Sequence, residues 1–141
     1  LSERENLLNN GRKILVVDDN PMNLLIVGTL LEEKGIVPIK ALNGEEAIYK
    51  FKESFEKGEQ IDFIFMDCQM PVMDGFQATR ELKKLMSQLG IKPVPICALS
   101  ANDGEQDVRE CLESGMDEHL SKPLTDAKLT NILKRFNLSA E

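Results

Sequence analysis

Apolar runs alternate with stretches of helical spacing along the whole chain. Lys13–Asp18 (KILVVD) is a continuous apolar run closed by charge, which predicts a strand buried on both faces. Pro21–Lys34 has helical spacing, with Pro21 in the first turn and Gly35 as the stop. Val37–Ala41 predicts a short second strand, and Asn43 can cap a helix running to about Phe55. Ile61–Asp67 (IDFIFMD) predicts a third strand, again ending in an aspartate. A loop with Pro71 and Gly75 leads into a helix to about Leu89. Val94–Ser100 (VPICALS) is a fourth strand ending in a hydroxyl, followed by a helix to Ser114 that Gly115 stops. Glu118–Pro123 holds a short fifth strand ending at a lysine, and the last helix runs from Asp126 to about Phe136.

Five βα units in alternation predict an α/β fold, with a parallel sheet covered by helices on both faces. Right-handed crossovers narrow this to a doubly wound sheet, for which 2-1-3-4-5 is the common five-stranded order. Residues 1–12 are polar and amide-rich, and read as a linker or lead-in segment before a single domain over 13–141. The start at Leu1 suggests a processed product or a piece of a larger protein, and no effector domain is expected after the last helix.

Composition changes the picture mainly by exclusion. The 141 residues carry a net charge of -7, which disfavours direct nucleic-acid binding, because phosphate contacts need clustered Lys and Arg. The three cysteines, Cys68, Cys97 and Cys111, form no CxxC pair and His119 is the only histidine, so a zinc site is not expected. Scattered thiols suit a reducing cytoplasm, and the three are read as core residues without a redox role. Cys68 should point away from the pocket beside Asp67. No apolar run approaches the roughly 20 residues of a membrane span.

Candidate chemistry comes from the strand ends. In an open parallel sheet, ligands bind beyond the carboxyl ends of the strands, where the strand order reverses. The first strand brings Asp18 and Asp19 to that rim, the third Asp67, the fourth Ser100 and the fifth Lys122. Three carboxylates in one crevice repel each other, and one would be driven toward protonation. A hard divalent cation removes the conflict: Mg²⁺ takes a few carboxylates, several waters and a phosphate oxygen. Lys122 adds a compact positive charge and Ser100 a hydroxyl donor. The set predicts a phosphoryl site in which a carboxylate attacks in line while cations neutralise the equatorial oxygens.

The motifs DD (Asp18–Asp19), MDCQMPVMDG (Met66–Gly75), LSA (Leu99–Ala101) and SKP (Ser121–Pro123) resemble the receiver domain of two-component signalling proteins. The likeness covers about Lys13 to Phe136, with all four motifs in order, and is greatest to the C-terminal receivers of hybrid histidine kinases. It implies a flavodoxin-like fold with five helices. It implies that Asp67 accepts a phosphoryl group from phosphohistidine, and that Asp19 and Asp67 bind Mg²⁺ (or Mn²⁺) directly, joined by the backbone carbonyl of Gln69. Asp18 would act mainly through a metal-bound water. Ser100 would be the switch hydroxyl, Lys122 would contact the phosphoryl group, and the Lys122–Pro123 bond would be cis. Pro71 and Gly75 would shape the loop after Asp67. The implied partners are a histidine kinase, a histidine-phosphotransfer protein, or both. The domain itself would be cytoplasmic and touch no membrane, although a parent chain could be anchored in one.

Two features modify that pattern. His119 stands where such receivers usually carry Tyr or Phe, so an imidazole would take the place of the aromatic switch partner, and would bring a pH response near neutrality. The first helix is unusually apolar. A stripe through Ile26, Val27 and Leu30, with Asn23, has core spacing, and Leu24, Leu25 and Met22 fall toward another side. The likeness places a phosphotransfer partner near this helix and the loop after strand 5, with Met22, Leu25 and Pro123 on the docking face.

Alternatives come from other classes. A stand-alone response regulator would use the same site. An aspartyl-phosphate phosphatase would carry its nucleophile on the first strand, typically within DxD, and would need a cap; this chain has DD and no segment long enough for one. A flavin carrier would need a phosphate-cradling loop after strand 1, where DDNPMN would repel the phosphate. Gln69 and Asn102 sit where such receivers tune phosphate lifetime, and an amide is a poor general base. The phosphorylated chain should therefore outlast seconds in Mg²⁺; decay within seconds, followed by loss of acid-stable label, would contradict that expectation.

Overall fold

The computed structural model describes residues 12–68, 70, 73–101 and 104–138. The strands are β1 (Lys13–Val17), β2 (Val37–Ala41), β3 (Phe63–Asp67), β4 (Ile96–Ser100) and β5 (Glu118–Ser121). They alternate with α1 (Pro21–Glu32), α2 (Gly44–Glu56), α3 (Gly75–Leu89), α4 (Glu105–Glu113) and α5 (Asp126–Arg135). All strand pairs are parallel and the order is β2-β1-β3-β4-β5, as expected from the alternation of units. Strands β3 and β4 are two residues shorter at their starts than the apolar runs suggested. Ile61 and Val94 nonetheless stay buried beside the sheet.

Two apolar layers sandwich the sheet, and the two-residue period of a strand sorts side chains between them. Ile14, Val16, Phe63, Phe65, Cys97 and Leu99 face a layer completed by α1 and α5, through Leu24, Val27, Leu31, Leu129 and Ile132. Leu15, Val17, Ile64, Met66, Ile96 and Ala98 face the other layer, closed by Phe51 of α2, Leu82 and Met86 of α3, and Cys111 of α4. The rings of Phe63 and Phe65 meet edge to face at 5.0 Å, which favours the quadrupole geometry over a flat stack. Both faces being dry explains why the three central strands, β1, β3 and β4, read as unbroken apolar runs.

The helix boundaries follow their caps. The Asn20, Asn43, Asp74 and Thr125 side chains each accept a backbone N–H of the first turn. Gly35 has φ +76° just past α1, and the Ile36 N–H returns to the Leu31 carbonyl at 3.1 Å, a closure that a left-handed glycine makes possible.

The buried stripe of α1 differs from the one its spacing suggested. Leu24, Val27, Gly28 and Leu31 are buried, whereas Ile26 is 46% exposed. Asn23 turns toward the carboxyl end of the sheet rather than into the core. Nearly every position of this helix is apolar, so periodicity could not select a face. Packing did: Gly28 lies flat against the Lys40 side chain of β2, where a Cβ would come within 2.8 Å of Lys40 Cε.

Among the described residues, no helix is long and apolar enough to cross a membrane. One buried polar atom, Thr79 Oγ1 on α3, has no hydrogen-bond partner among them. A buried hydroxyl without a partner costs about 1–3 kcal/mol. Thr79→Val should therefore raise the urea midpoint, with a stability gain of about 1 kcal/mol; a lower midpoint would show that the hydroxyl is satisfied in solution.

Candidate functional site

The chain Asp18–Asp19–Asn20–Pro21 converts the end of β1 into the start of α1. One oxygen of Asp18 accepts the Asn20 N–H at 2.9 Å, and Asn20 in turn caps the helix by accepting the Met22 N–H at 2.9 Å. The other oxygen of Asp18 accepts the Asn23 side-chain amide at 3.3 Å. These bonds turn Asp18 inward, where it is only 2% exposed, while the neighbouring Asp19 lies at the surface.

Asp67 ends β3 and is 4% exposed. Its backbone is hemmed in by α3, whose first residue donates its N–H from Gly75 to the Cys68 carbonyl at 3.1 Å. A Cβ on Gly75 would overlap the Asp67 carbonyl oxygen and lie 2.8 Å from Cys68 Cα. Glycine is needed here for close approach rather than for an unusual dihedral.

Lys122 follows β5 and reaches back across the sheet. Its ammonium lies 3.1 Å from Asp18 Oδ2 and 3.3 Å from Asp67 Oδ1. Burial alone would lower its pKa, but the charges of Asp67 and Asp18 outweigh that, and it sits above the ordinary lysine value of 10.5. The ammonium is therefore charged at neutral pH, and its contribution to stability is lost only as pH rises through that elevated pKa. Ser100, buried at the end of β4, accepts the Lys122 N–H on its carbonyl at 2.7 Å. The Lys122–Pro123 bond is cis.

One oxygen from each of Asp18, Asp19 and Asp67 lies within 4.8 Å of the others. Asp18, Asp67, Ser100 and Lys122 line one open pocket of about 190 Å³. Three carboxylates against one ammonium leave two uncompensated negative charges, an excess that one divalent cation would match. The donor set is all oxygen, which suits a hard cation such as Mg²⁺. The sheet thus brings Asp18, Asp19, Asp67, Ser100 and Lys122 together, as the strand ends predicted.

His119 stands apart, half-buried on β5 in register with Ala98 and outside the pocket lining. Met22 and Leu25 are 60% and 55% exposed on α1, and Pro123 is exposed too. Gln69, Pro71 and Asn102 lie outside the described residues. Sequence reasoning missed Asn23 as a site residue; its signal was the Asx spacing Asp18–Asn20–Asn23, which the apolar neighbours masked.

Residues 14–134 match the family model of the response regulator receiver domain. The chain belongs to that family. The receiver is 44% identical over 125 residues to the osmosensing histidine protein kinase SLN1 of Saccharomyces cerevisiae, covering 88% of this chain and 10% of that protein. It is 37% identical over 124 residues to hybrid signal transduction histidine kinase L of Dictyostelium discoideum, covering 88% of this chain and 7% of that protein. It therefore spans a small part of the curated relatives it matches. Among solved structures it resembles the receiver domain of the Arabidopsis thaliana histidine kinase CKI1 complexed with Mg²⁺ and BeF₃⁻. The TM-score is 0.79 and the identity 34%, covering 94% of this chain and 93% of that one. It also resembles a chain in the co-crystal structure of the Saccharomyces cerevisiae phosphotransfer protein Ypd1 with the receiver domain of Ssk1. There the TM-score is 0.80 and the identity 32%, over 89% of this chain and 88% of that one.

The cysteines lie as expected of core residues. Cys68 Sγ faces away toward Cys111 Sγ, 3.4 Å distant across the α2–α3–α4 layer, and burial pushes both thiols up, as it does Cys97.

Lys122→Met would leave two buried carboxylates facing each other. In metal-free buffer at pH 7 it should cost about 3 kcal/mol of stability. The deficit should persist at neutral pH and shrink only at alkaline pH, as Lys122 of the wild type gives up its proton; a deficit independent of pH, by urea unfolding, would assign Lys122 a packing role instead.

Proposed function

We propose that this receiver takes a phosphoryl group from phosphohistidine onto Asp67 and passes it, or a signal, to a helical partner. The observation that carries the reading is the Lys122 ammonium 3.3 Å from Asp67 Oδ1, beside the three-carboxylate cluster. Asp67 is the nucleophile: its carboxylate oxygen bonds to phosphorus as the P–N bond to the donor imidazole breaks, leaving a neutral imidazole once that nitrogen or its partner ring nitrogen carries a proton. Lys122 then shifts from carboxylate to phosphoryl oxygen, and the Ser100 hydroxyl donates to another oxygen of the same group. Asp19 and Asp67, with the Gln69 carbonyl, would hold Mg²⁺ or Mn²⁺ directly, and Asp18, already engaged by Lys122 and two donors, would act through water. When bound, the cation neutralises charge on the transferring phosphoryl oxygens.

The switch would pair Ser100 with His119, whose register on β5 two residues before the Ser100 partner Ser121 allows the imidazole to follow a change in the β4 end. The docking surface would be Met22, Leu25 and Pro123. Exposed apolar side chains at one end of α1, beside the pocket, fit the ridge of a histidine-phosphotransfer bundle. The hybrid-kinase relatives favour a receiver module of a longer kinase, and the receiver of the response regulator Ssk1 in complex with Ypd1 supports a phosphotransfer protein as the partner.

Incubation with acetyl phosphate and Mg²⁺ should label the wild type and not Asp67→Asn, read by intact mass. Label that persists in Asp67→Asn would overturn the assignment. Leu25→Asp should label normally with acetyl phosphate yet receive phosphate from a phosphotransfer protein at least about tenfold more slowly; unchanged transfer would remove α1 from the docking face.

A further inference from the structure

The main chain around Lys122 is held from two sides. On one, the Lys122 N–H donates to the Ser100 carbonyl at 2.7 Å. On the other, the ammonium of Lys128, on α5, donates to the Ser121 carbonyl at 2.9 Å, the Ser121 hydroxyl at 3.2 Å and the Pro123 carbonyl at 3.3 Å. An ammonium has three protons, and these three acceptors come from the residues flanking Lys122. Lys128 is half-buried.

Its place in the helix makes the arrangement more telling. Thr125 caps α5 by accepting the Lys128 N–H at 3.3 Å, which puts Lys128 at the third helical position. A Thr cap is ordinarily answered there by Glu or Gln, whose side chain returns to the cap N–H. A cation in the first turn also faces the positive end of the helix dipole. Local helix physics therefore argues against lysine at this position, and the three contacts to the Ser121–Pro123 segment supply what offsets it. The same turn is tethered by Asp126, which pairs with Lys34 beyond the end of α1 at 3.0 Å.

We propose that Lys128 is a positioning residue for phosphoryl transfer, fixing the segment from which Lys122 reaches Asp67. This rests on the reading of Asp67 as phosphoacceptor. With the Ser121 and Pro123 carbonyls held by one ammonium, the Lys122 stem starts from a fixed point and its head group stays within reach of Asp67. Without that clamp, the segment beyond β5 is held on the β4 side alone, and the head group is misplaced when the phosphoryl group arrives. Misplacement of this kind costs rate rather than affinity.

The test is the phosphorylation of the chain by acetyl phosphate at saturating Mg²⁺. Lys128→Met should lower the limiting rate about tenfold, with the half-saturating Mg²⁺ concentration changed by less than about twofold. Lys128→Arg, which keeps the charge and several donors, should recover most of the rate. In a Lys122→Ala background, Lys128→Met should cause no further loss, because the residue acts through Lys122. Urea unfolding checks that each variant is folded; Lys128→Gln, which keeps the stem and two donors, replaces the Met variant should that one unfold, and should be about threefold slow. A wild-type rate in Lys128→Met, or the same fold loss with and without Lys122, overturns the inference while Asp67-dependent labelling continues. Labelling that survives Asp67→Asn overturns the underlying reading instead.

Discussion

One ammonium lies between two buried carboxylates, with a third close by, and the architecture of the molecule turns on that imbalance. Asp18 and Asp67 are both nearly shut off from water, which makes leaving them charged expensive. Lys122 offsets part of the cost and is itself driven to stay protonated by them. The remaining excess of negative charge suits the pocket to a divalent cation. The site is costly by design of the sheet: parallel strands bring their carboxyl ends to one rim, so charges from distant parts of the chain meet there.

The surrounding structure is arranged to hold that imbalance in place. Gly75 lets the start of α3 lie against the Asp67 carbonyl, which fixes the backbone from which the acidic side chain meets Lys122. Asn20 joins the Asp18 carboxylate to the cap of α1, which sets the direction of that helix and so of its exposed Met22 and Leu25. The Ser100 carbonyl and the Lys128 ammonium grip the chain on either side of Lys122. The charged rim, the start of α1 and the ordering of the fifth strand's exit are therefore coupled through short hydrogen bonds rather than through the apolar layers. Those layers supply a rigid floor.

Much of this was legible in the chain itself. Strand runs that are apolar without alternation announced a sheet covered on both sides, and each such run ended in the residue that later stood in the pocket: Asp18, Asp67, Ser100, and Lys122 one step beyond. What was not legible has specific causes. On α1, apolar residues at almost every position left no periodic contrast, so Ile26 looked like core and Leu24 did not, the reverse of what packing against Lys40 and the sheet produced. Asn23 looked like part of that stripe because its partner, Asp18, is reached only when the helix folds back over the strand end. Lys128 carried no motif at all; only the turn of the chain at Ser121–Pro123 brings three acceptors to it.

By itself the sequence determined the order of elements, the caps that start the helices, and the residue types that reach the rim of the sheet. These follow from local forces: apolar period, side-chain capping and the steric limits of Gly and Pro. The tertiary structure alone decided which face of α1 is buried, how near Lys122 comes to two carboxylates, and which distant side chain steadies it. Those outcomes depend on close packing between segments far apart in the chain, and on the balance of charges in a shared dry space, neither of which has a local signature.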